Sequence, residues 1–262
     1  MQLIKFCSPE HNIRQGAKLQ VGTLYGYRSI ENPELQDDAE GTYEFTIEFP
    51  EEIELDRRWS NLLFQGSIAF GKVDDIPRFP GEFSTDIEKM RVVRQTADGV
   101  VVKDTIVRIR RNVYNCLVFC MSLLETAEAN PFKNYSDHWA FPEQSANEFA
   151  RRLGNLIFQQ AKLSSFENSI SEILSPGTAG TLSLQGQHKR VVYRDRRMRI
   201  TEQTKPTFDE LLQVLSDISF IKPERFSKEN EYRFIFELNN GQRLFQPKKQ
   251  NLLLSLNPLT DL

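Results

Sequence analysis

Residues 227–238 read Ser-Lys-Glu-Asn-Glu-Tyr-Arg-Phe-Ile-Phe-Glu-Leu, and this stretch decides most of what we predict about the fold. Aromatic and β-branched residues dominate positions 232–238, which predicts a strand. Turn-forming residues follow at 239–241, so we predict that the strand ends there. Directly before the strand, Glu229 and Glu231 are separated by one residue. In an extended chain this spacing places both carboxylates on the same side.

Similar patterns predict the other strands of a sheet. Val113–Leu123 is an apolar run rich in β-branched and aromatic residues, and we predict that it forms a central strand. An Asp-Gly turn at 98–99 predicts a hairpin between residues 90–95 and 100–109. No regular element is predicted for residues 50–89. Further strands are predicted at residues 3–7, 19–27, 42–49, 190–193 and 250–256.

Two helices are predicted from capping-box patterns. Ser145 and Thr207 are each followed three residues later by a glutamate, Glu148 and Glu210, and then by apolar residues at helical spacing. A loop at 175–180 separates them. The sequence therefore predicts an α+β fold with a mixed, largely antiparallel sheet core and flanking helices. Because no repeat or linker interrupts the pattern, we predict a single composite domain over residues 1–262.

Composition limits the classes of protein to consider. The chain has 39% hydrophobic residues, enough for a sizeable core, and lacks any apolar run long enough for a membrane span or a secretory signal. With three cysteines we expect reduced thiols rather than a disulfide framework. Cys116 and Cys120 are interpreted as buried apolar residues, and no metal site is predicted. We therefore expect a cytoplasmic protein without a membrane partner.

The two carboxylates before the late strand suggest acid–base chemistry. One carboxylate can stay ionised while its crowded neighbour has a raised pKa and transfers protons. An ionised carboxylate beside a ribose would also stabilise the oxocarbenium-like state that forms when an N-glycosidic bond breaks. The alternative is a charged strand end in solvent.

An acidic residue, one spacer and a glutamate at the start of a late strand resemble the ADP-ribosyltransferase fold. This resemblance implies that Glu231 contacts the nicotinamide ribose of NAD and is catalytic, while Glu229 selects or activates the acceptor. The chain has no Rossmann glycine fingerprint. This absence does not argue against the hypothesis, because ADP-ribosyltransferases use NAD as a substrate and bind it in a different cleft.

The N-terminal residues extend that resemblance. Phe6-Cys7 and the segment 19–28 look like the first strand, turn and second strand of small bacterial members of the fold. Those members carry His or Arg on the first strand, where this chain offers Lys5 and Cys7. The implied NAD-binding residues are Cys7, Tyr25, Tyr27 and Arg28. Arg28 suits bidentate contact with a pyrophosphate, and the two tyrosines suit stacking on a flat ring or packing in the core.

A second resemblance covers more of the chain. The segments 37–41, 134–139, 192–193 and 229–233 look like a widespread bacterial family of uncharacterised function that is often encoded near defence genes. This resemblance implies a toxin or a phage-defence effector, and a toxin implies a neutralising antitoxin as a partner.

Basic residues suggest a polyanion site for a nucleic-acid acceptor. They are His188, Lys189, Arg190, Arg194, Arg196, Arg197 and Arg199, with Arg108, Arg110 and Arg111 elsewhere. A solvated face balanced by acids is the alternative. His138, beside Asp137, is interpreted as a surface histidine rather than a general base.

The leading hypothesis is therefore an NAD-dependent ADP-ribosyltransferase that modifies a nucleic acid or a protein. A non-catalytic binding or sensor module on the same fold is the second hypothesis. In that module the carboxylates pair with Arg233 or other basic residues. A nuclease with a metal held by clustered acids is a third.

Overall fold

The computed structural model describes residues 1–15, 18–29, 40–65, 79–166, 170–171, 181–194, 197–248 and 251–256. The chain divides into two compact units. The first unit comprises residues 1–40, 114–193 and 220–262, and the second comprises residues 41–113 and 194–219. The predicted single composite domain stays a prediction, because compactness alone does not show whether the units fold independently.

Strands predominate over helices in the described residues. In chain order the strands are β1 (Gln2–Cys7), β2 (Lys18–Thr23), β3 (Thr42–Phe49), β4 (Ile53–Asp56), β5 (Glu82–Gln95), β6 (Gly99–Asn112), β7 (Leu117–Leu124), β8 (Asp137–Pro142), β9 (Ile170–Ser171), β10 (Ser183–Arg190), β11 (Val192–Arg194), β12 (Arg197–Arg199), β13 (Ile221–Pro223), β14 (Glu231–Asn239), β15 (Arg243–Phe245) and β16 (Asn251–Ser255). The helices are α1 (Arg57–Leu63), α2 (Ala146–Gln160) and α3 (Phe208–Ser216). This confirms the α+β class with mostly antiparallel pairing. Over the described residues, no helix is both long and apolar enough to cross a bilayer.

The first unit is built on one large sheet. Its main path runs β16-β2-β7-β14-β15-β9, and β1, β8 and β10 pair alongside that path. The two central strands, β7 and β14, are antiparallel, and Glu231 lies opposite Ser122 while Arg233 lies opposite Cys120. The strand predictions for residues 232–238 and 113–123 are confirmed, although β7 begins only at Leu117.

The sheet splits at one edge of β7. β1 pairs with residues 122–124 of β7, whereas β2 pairs with residues 117 and 118 on that same edge. Between these two pairings, residues 119–121 have no partner strand on this edge among the strands described above. Beyond Ile4, β1 continues only along β8, from Lys5 opposite Trp139 to Cys7 opposite Asp137. A gap between two strands of one sheet results.

Helix α2 covers one face of this sheet with its apolar side. Phe149 packs against Phe141, Phe234 and Phe119 with ring centroids 4.6, 5.0 and 5.7 Å apart. The helix prediction is confirmed, but the capping box at Ser145 is wrong. Residues 143–145 already form a helical turn, and Ser145 makes no capping hydrogen bond. Glu148 binds Arg151 and Arg152 instead.

The second unit has a smaller sheet centred on β6. β3, β4 and β5 each pair with β6 in antiparallel register, and β12 pairs in parallel with β3. The predicted hairpin is confirmed and is longer than predicted. Thr207 is the N-cap residue of helix α3, and both capping-box hydrogen bonds are present, as predicted. The expectation of no regular structure over residues 50–89 is wrong, because β4, α1 and more than half of β5 lie there.

Candidate functional site

A cavity opens in the first unit where β1 and β2 separate along β7. Its volume is about 200 Å³. Both faces of β7 contribute to its wall, Phe119 and Met121 from one face and Cys120 and Ser122 from the other. The charged residues of the wall are Lys5, Lys222, Glu229 and Glu231, and its aromatic residues are Phe6, Tyr27, Phe119, Phe132, Tyr135 and Trp139.

A buried network of ionisable side chains lies at the charged part of this wall. Arg233, which is 1% exposed, donates to both carboxylate oxygens of Glu40 at 2.7 and 3.0 Å. Its Nε also donates to Glu231. The ammonium of Lys222 lies 2.8 Å from Glu229 and 3.0 Å from Glu231. Buried charges need partners of this kind because desolvation is costly.

Local backbone structure explains how these groups meet. Alternation along β14 puts Glu231 and Arg233 on one face of the strand. A short 3₁₀ helix, Glu224–Glu229, precedes β14 and brings Glu229 back toward Lys222 of β13. Between this helix and the strand, Asn230 adopts a left-handed conformation with φ of 44°. Asparagine tolerates this conformation better than most residues, which suits it to this position.

The two glutamates of the wall differ in protonation. Burial raises the pKa of Glu229 to about 7, against the opposing attraction of Lys222. For Glu231 burial also acts to raise the pKa, but Arg233 and Lys222 outweigh it and hold the pKa well below the usual value. Near neutral pH, Glu231 is therefore ionised while Glu229 exchanges a proton. Neighbouring carboxyl groups with different pKa values are typical of acid–base sites.

Glu229 also has an unsatisfied oxygen. Its residue is 7% exposed, and its Oε1 atom has no hydrogen-bond partner among the described residues. Its other oxygen, Oε2, accepts from Lys222. A buried acceptor without a partner costs free energy, and this favours the protonated form of Glu229.

Lys5 and Cys120 bridge the gap in the sheet. Lys5 Nζ donates to the Cys120 carbonyl oxygen at 2.9 Å, and so satisfies an acceptor on the unpaired part of β7. The Tyr27 hydroxyl donates to Cys120 Sγ at 3.3 Å. Burial lowers the pKa of Lys5 and raises that of Cys120. Cys120 is thus a hydrogen-bonding member of the site rather than an inert apolar residue.

The structure brings together some of the predicted site residues and not others. Cys7, Tyr27, Glu229 and Glu231 all line the cavity, whereas neither Tyr25 nor Arg28 is among its lining residues. Arg28 donates to the Glu40 carbonyl oxygen at 2.6 Å, and its guanidinium lies 3.7 Å from the centre of the Tyr25 ring.

The reason is that the predicted strand 19–27 ends early. β2 stops at Thr23, and Tyr25–Ser29 forms a 3₁₀ helix. The Tyr25 amide donates to Asn115 Oδ1 and the Gly26 amide to Thr23 Oγ1, so side-chain acceptors replace a strand partner. The strand predicted over residues 19–27 is therefore wrong beyond Thr23.

Residues from all four separated segments of the second resemblance meet around this site. Glu40 holds Arg233, and the Tyr193 hydroxyl accepts from the Glu231 amide at 2.8 Å. Tyr135 and Trp139 line the cavity. The positions 37–39 lie outside the described residues. Sequence reasoning missed Lys222, because nothing near it in the chain marks its partners, and it assigned no role to Trp139.

In the part of the chain that is described, three of the basic residues predicted to bind a polyanion pair with acids, and one of them is Arg108, which binds Glu88 at 3.1 Å. Arg190 binds Glu143 at 2.6 Å, and Arg197 binds Glu48. Arg111 is 2% exposed and donates to the Glu82 carbonyl oxygen, so its inclusion in a surface cluster was wrong. Arg196 lies outside the described residues.

His138 and His188, the two histidines considered from the sequence, are not among the residues that line the cavity. His138 is exposed at the start of β8, as expected for a surface histidine. His188 hydrogen-bonds to the Tyr232 hydroxyl at 2.8 Å and to Asn147 at 3.0 Å. Within the described ranges, His, Cys, Asp and Glu side chains form no group of three or more that would hold a metal ion.

Comparison with known proteins gave no relatives: no protein-family model, curated protein sequence or solved structure matches this chain.

Proposed function

We propose that the chain is an NAD-dependent ADP-ribosyltransferase with an ADP-ribosyltransferase-like fold. In this proposal it cleaves the bond between nicotinamide and ribose and transfers ADP-ribose to an acceptor. One observation carries the proposal: Glu231, buried and ionised, lies in a cavity wall beside Glu229, whose pKa is about 7. A cavity between diverging strands also gives a ligand access to both carboxyl groups.

The proposed reaction breaks the C1′–N bond, and its electron pair neutralises the nicotinamide ring. The Glu231 carboxylate stabilises the positive charge that develops on the ribose. Arg233 and Lys222 keep Glu231 ionised and fix its position. An acceptor nucleophile then attacks C1′, and Glu229 takes the proton that this nucleophile loses.

NAD also carries a negatively charged diphosphate, which requires a basic contact. Arg28 was predicted for this role but does not line the cavity. Lys5 and His11 do, and we assign the diphosphate to them. Tyr27 and Cys7 remain contacts of the bound substrate in this proposal.

A second candidate is a non-catalytic binding or sensor module. Both oxygens of Glu231 have cationic partners, since Arg233 contacts Oε1 and Lys222 contacts Oε2. A carboxylate held in this way is also what a purely structural network requires. This observation supports the module, in which the cavity binds a ligand without cleaving it.

The biological setting also remains a proposal. We propose a toxin or phage-defence effector that acts in the cytoplasm on a protein or nucleic acid and is neutralised by an antitoxin. Ion pairing of Arg190 and Arg197 weakens the argument for a nucleic-acid acceptor, so the assay must separate the two acceptor classes.

The decisive experiment incubates the purified protein with bacterial lysate and NAD that is labelled in its adenylate part. Wild type is compared with Glu231→Gln and with Glu224→Gln, an exposed glutamate in the turn before β14. Released nicotinamide and incorporated label are both measured, and products are treated separately with nuclease and protease. Thermal unfolding shows whether each variant is folded.

The transferase proposal expects Glu231→Gln to lower nicotinamide release by roughly 100- to 1000-fold, the usual effect of removing one electrostatic contact to a transition state. Glu224→Gln should behave as wild type. If folded wild-type protein releases no nicotinamide and incorporates no label, the transferase proposal is wrong and the binding module is favoured.

A further inference from the structure

The gap between β1 and β2 leaves part of the β7 backbone unpaired. On the edge of β7 that faces this gap, residues 119–121 have no partner strand in the described part of the chain. The pairing of β7 with β14 shows which peptide groups point there. The Leu123 N–H group donates to the Asn230 carbonyl oxygen at 2.8 Å, so residues 119, 121 and 123 direct their N–H and C=O groups toward β14. Cys120 therefore directs its own groups toward the gap.

Two further hydrogen bonds support this orientation of Cys120. The Cys116 carbonyl oxygen accepts from the Leu24 N–H group at 2.9 Å, and Cys120 lies an even number of residues further along the same edge. Lys5 Nζ donates to the Cys120 carbonyl oxygen at 2.9 Å. The N–H and C=O groups of one strand residue point to the same side, so the Cys120 N–H group also faces the gap. No described residue accepts a hydrogen bond from it.

Lys5 places a cation beside this donor. Its Nζ lies 4.8 Å from the centre of the Phe119 ring, and in the described ranges no carboxylate forms an ion pair with it. Burial lowers the pKa of Lys5, as expected for an ammonium group that lacks a close counter-ion. Both Lys5 and Cys120 line the cavity and are only half-buried, so a ligand in the cavity has access to them.

The surrounding charges do not compensate the Lys5 ammonium. The buried network carries two positive and two negative charges that pair with each other. They belong to Arg233, Lys222, Glu40 and Glu231. Glu229 adds only a partial negative charge at pH 7, because its pKa is about 7. A net positive charge therefore remains at Lys5, and an anion beside it would offset the cost of burying that charge.

We infer that the gap between β1 and β2 is an oxyanion-binding site, whose donors are the Cys120 N–H group and the Lys5 ammonium. A phosphate or carboxylate group offers one oxygen to each donor, and both bonds are charge-assisted. The assignment of this oxyanion to the diphosphate of NAD rests on the proposed function. It adds a backbone donor to the Lys5 contact, at a position where the sheet lacks a strand.

NMR of protein labelled with ¹⁵N-cysteine tests the site directly. The chain has three cysteines, and single Cys→Ala variants identify their amide signals. Cys116 is buried outside the cavity wall and serves as the internal control. Wild type is titrated with pyrophosphate, ADP-ribose, acetate and adenosine, which is uncharged. Pyrophosphate and ADP-ribose should move the Cys120 amide proton downfield, whereas adenosine should not, and the Cys116 signal should stay in place.

Affinity provides a second test. Lys5→Met keeps an apolar stem but removes the charge, and it should raise Kd for pyrophosphate roughly tenfold, as expected for the loss of one charge-assisted hydrogen bond. Lys18→Met, at an exposed lysine at the start of β2, is the matched control and should leave Kd unchanged. Thermal unfolding shows whether both variants are folded. If Lys5→Met is not folded, the Cys120 signal of wild type decides.

The outcomes separate this inference from the proposed function. If no anion moves the Cys120 signal, or if folded Lys5→Met binds pyrophosphate as tightly as Lys18→Met, the inference is wrong. Nicotinamide release by wild type would then still support the transferase. If pyrophosphate binds as expected but NAD is not cleaved, the oxyanion site is supported and the transferase is wrong. A response to acetate but to neither phosphate compound would overturn the assignment to NAD.

Discussion

Protonation of Glu229 should make the stability of the protein depend on pH in an unusual direction. Its carboxyl group has a pKa of about 7 in the folded chain, against an ordinary value of 4.5. Between these values the folded protein holds a proton that the unfolded chain has released. The contribution of this proton to the free energy of unfolding is therefore fully present below about pH 4.5. It is lost as the pH rises through 7.

The expected magnitude follows from this difference in pKa. At about 1.36 kcal/mol per pKa unit, Glu229 lowers the free energy of unfolding by about 3 kcal/mol from acid to alkaline pH, most of it between pH 5 and pH 8. Urea unfolding of wild type and Glu229→Gln across this range measures the effect. Glutamine resembles the protonated acid, so the variant should lack this loss and gain stability relative to wild type as the pH rises.

The difference between the two proteins isolates Glu229 from other groups that titrate in this range. One such group is His188, whose pKa is lowered by burial, which makes stability rise with pH near its usual pKa. A free-energy difference between wild type and Glu229→Gln that is constant from pH 5 to pH 8 would refute a raised pKa for Glu229. It would also make Glu229 a weaker base than a group with a pKa near the working pH, and so a poorer proton acceptor for the proposed reaction.

Further predictions concern the buried network, the helix caps and the thiols. Arg233→Met should lower the free energy of unfolding by about 3–5 kcal/mol in urea titrations, because Glu40 and Glu231 lose their shared partner; a loss below about 1 kcal/mol would contradict this. Thr207→Ala should cost about 1 kcal/mol, whereas Ser145→Ala should cost less than half as much, because only Thr207 makes a capping bond; equal losses would count against it. Burial raises the pKa of Cys7 to about 11, so iodoacetamide at pH 7.5 should alkylate it far more slowly in native than in urea-unfolded protein, as mass spectrometry would show.

Local sequence patterns predicted two kinds of element. One kind has its partner strand close in sequence, and the other is a strand that is buried on both faces of the sheet. β14 and β7 were recognised because continuous apolar runs are typical of strands buried on both faces. The β5–β6 hairpin was recognised from its Asp-Gly turn. Helix α2 was also predicted, but the capping box predicted for it was wrong. The same pattern forms a capping box at Thr207 and fails at Ser145, where the preceding residues are already helical.

The early end of β2 shows where local reasoning fails. Tyr25 and Tyr27 continue the strand pattern, yet the acceptor that turns the chain at Tyr25 is Asn115, 90 residues away. Arg28 is placed with Glu40 and Tyr25 by the same turn. No local property of residues 19–28 contains that information.

By itself, the sequence determined the α+β class and the central strands, and it singled out Glu229 and Glu231 as candidate site residues, because alternation and residue type act over a few neighbouring positions. Only the tertiary structure decided that these carboxyl groups line a cavity, that Lys222, Arg233 and Glu40 surround them, and that their pKa values differ. Burial and charge at a site are sums over residues distant in the chain. The sheet that splits beside β7 is what brings those residues together.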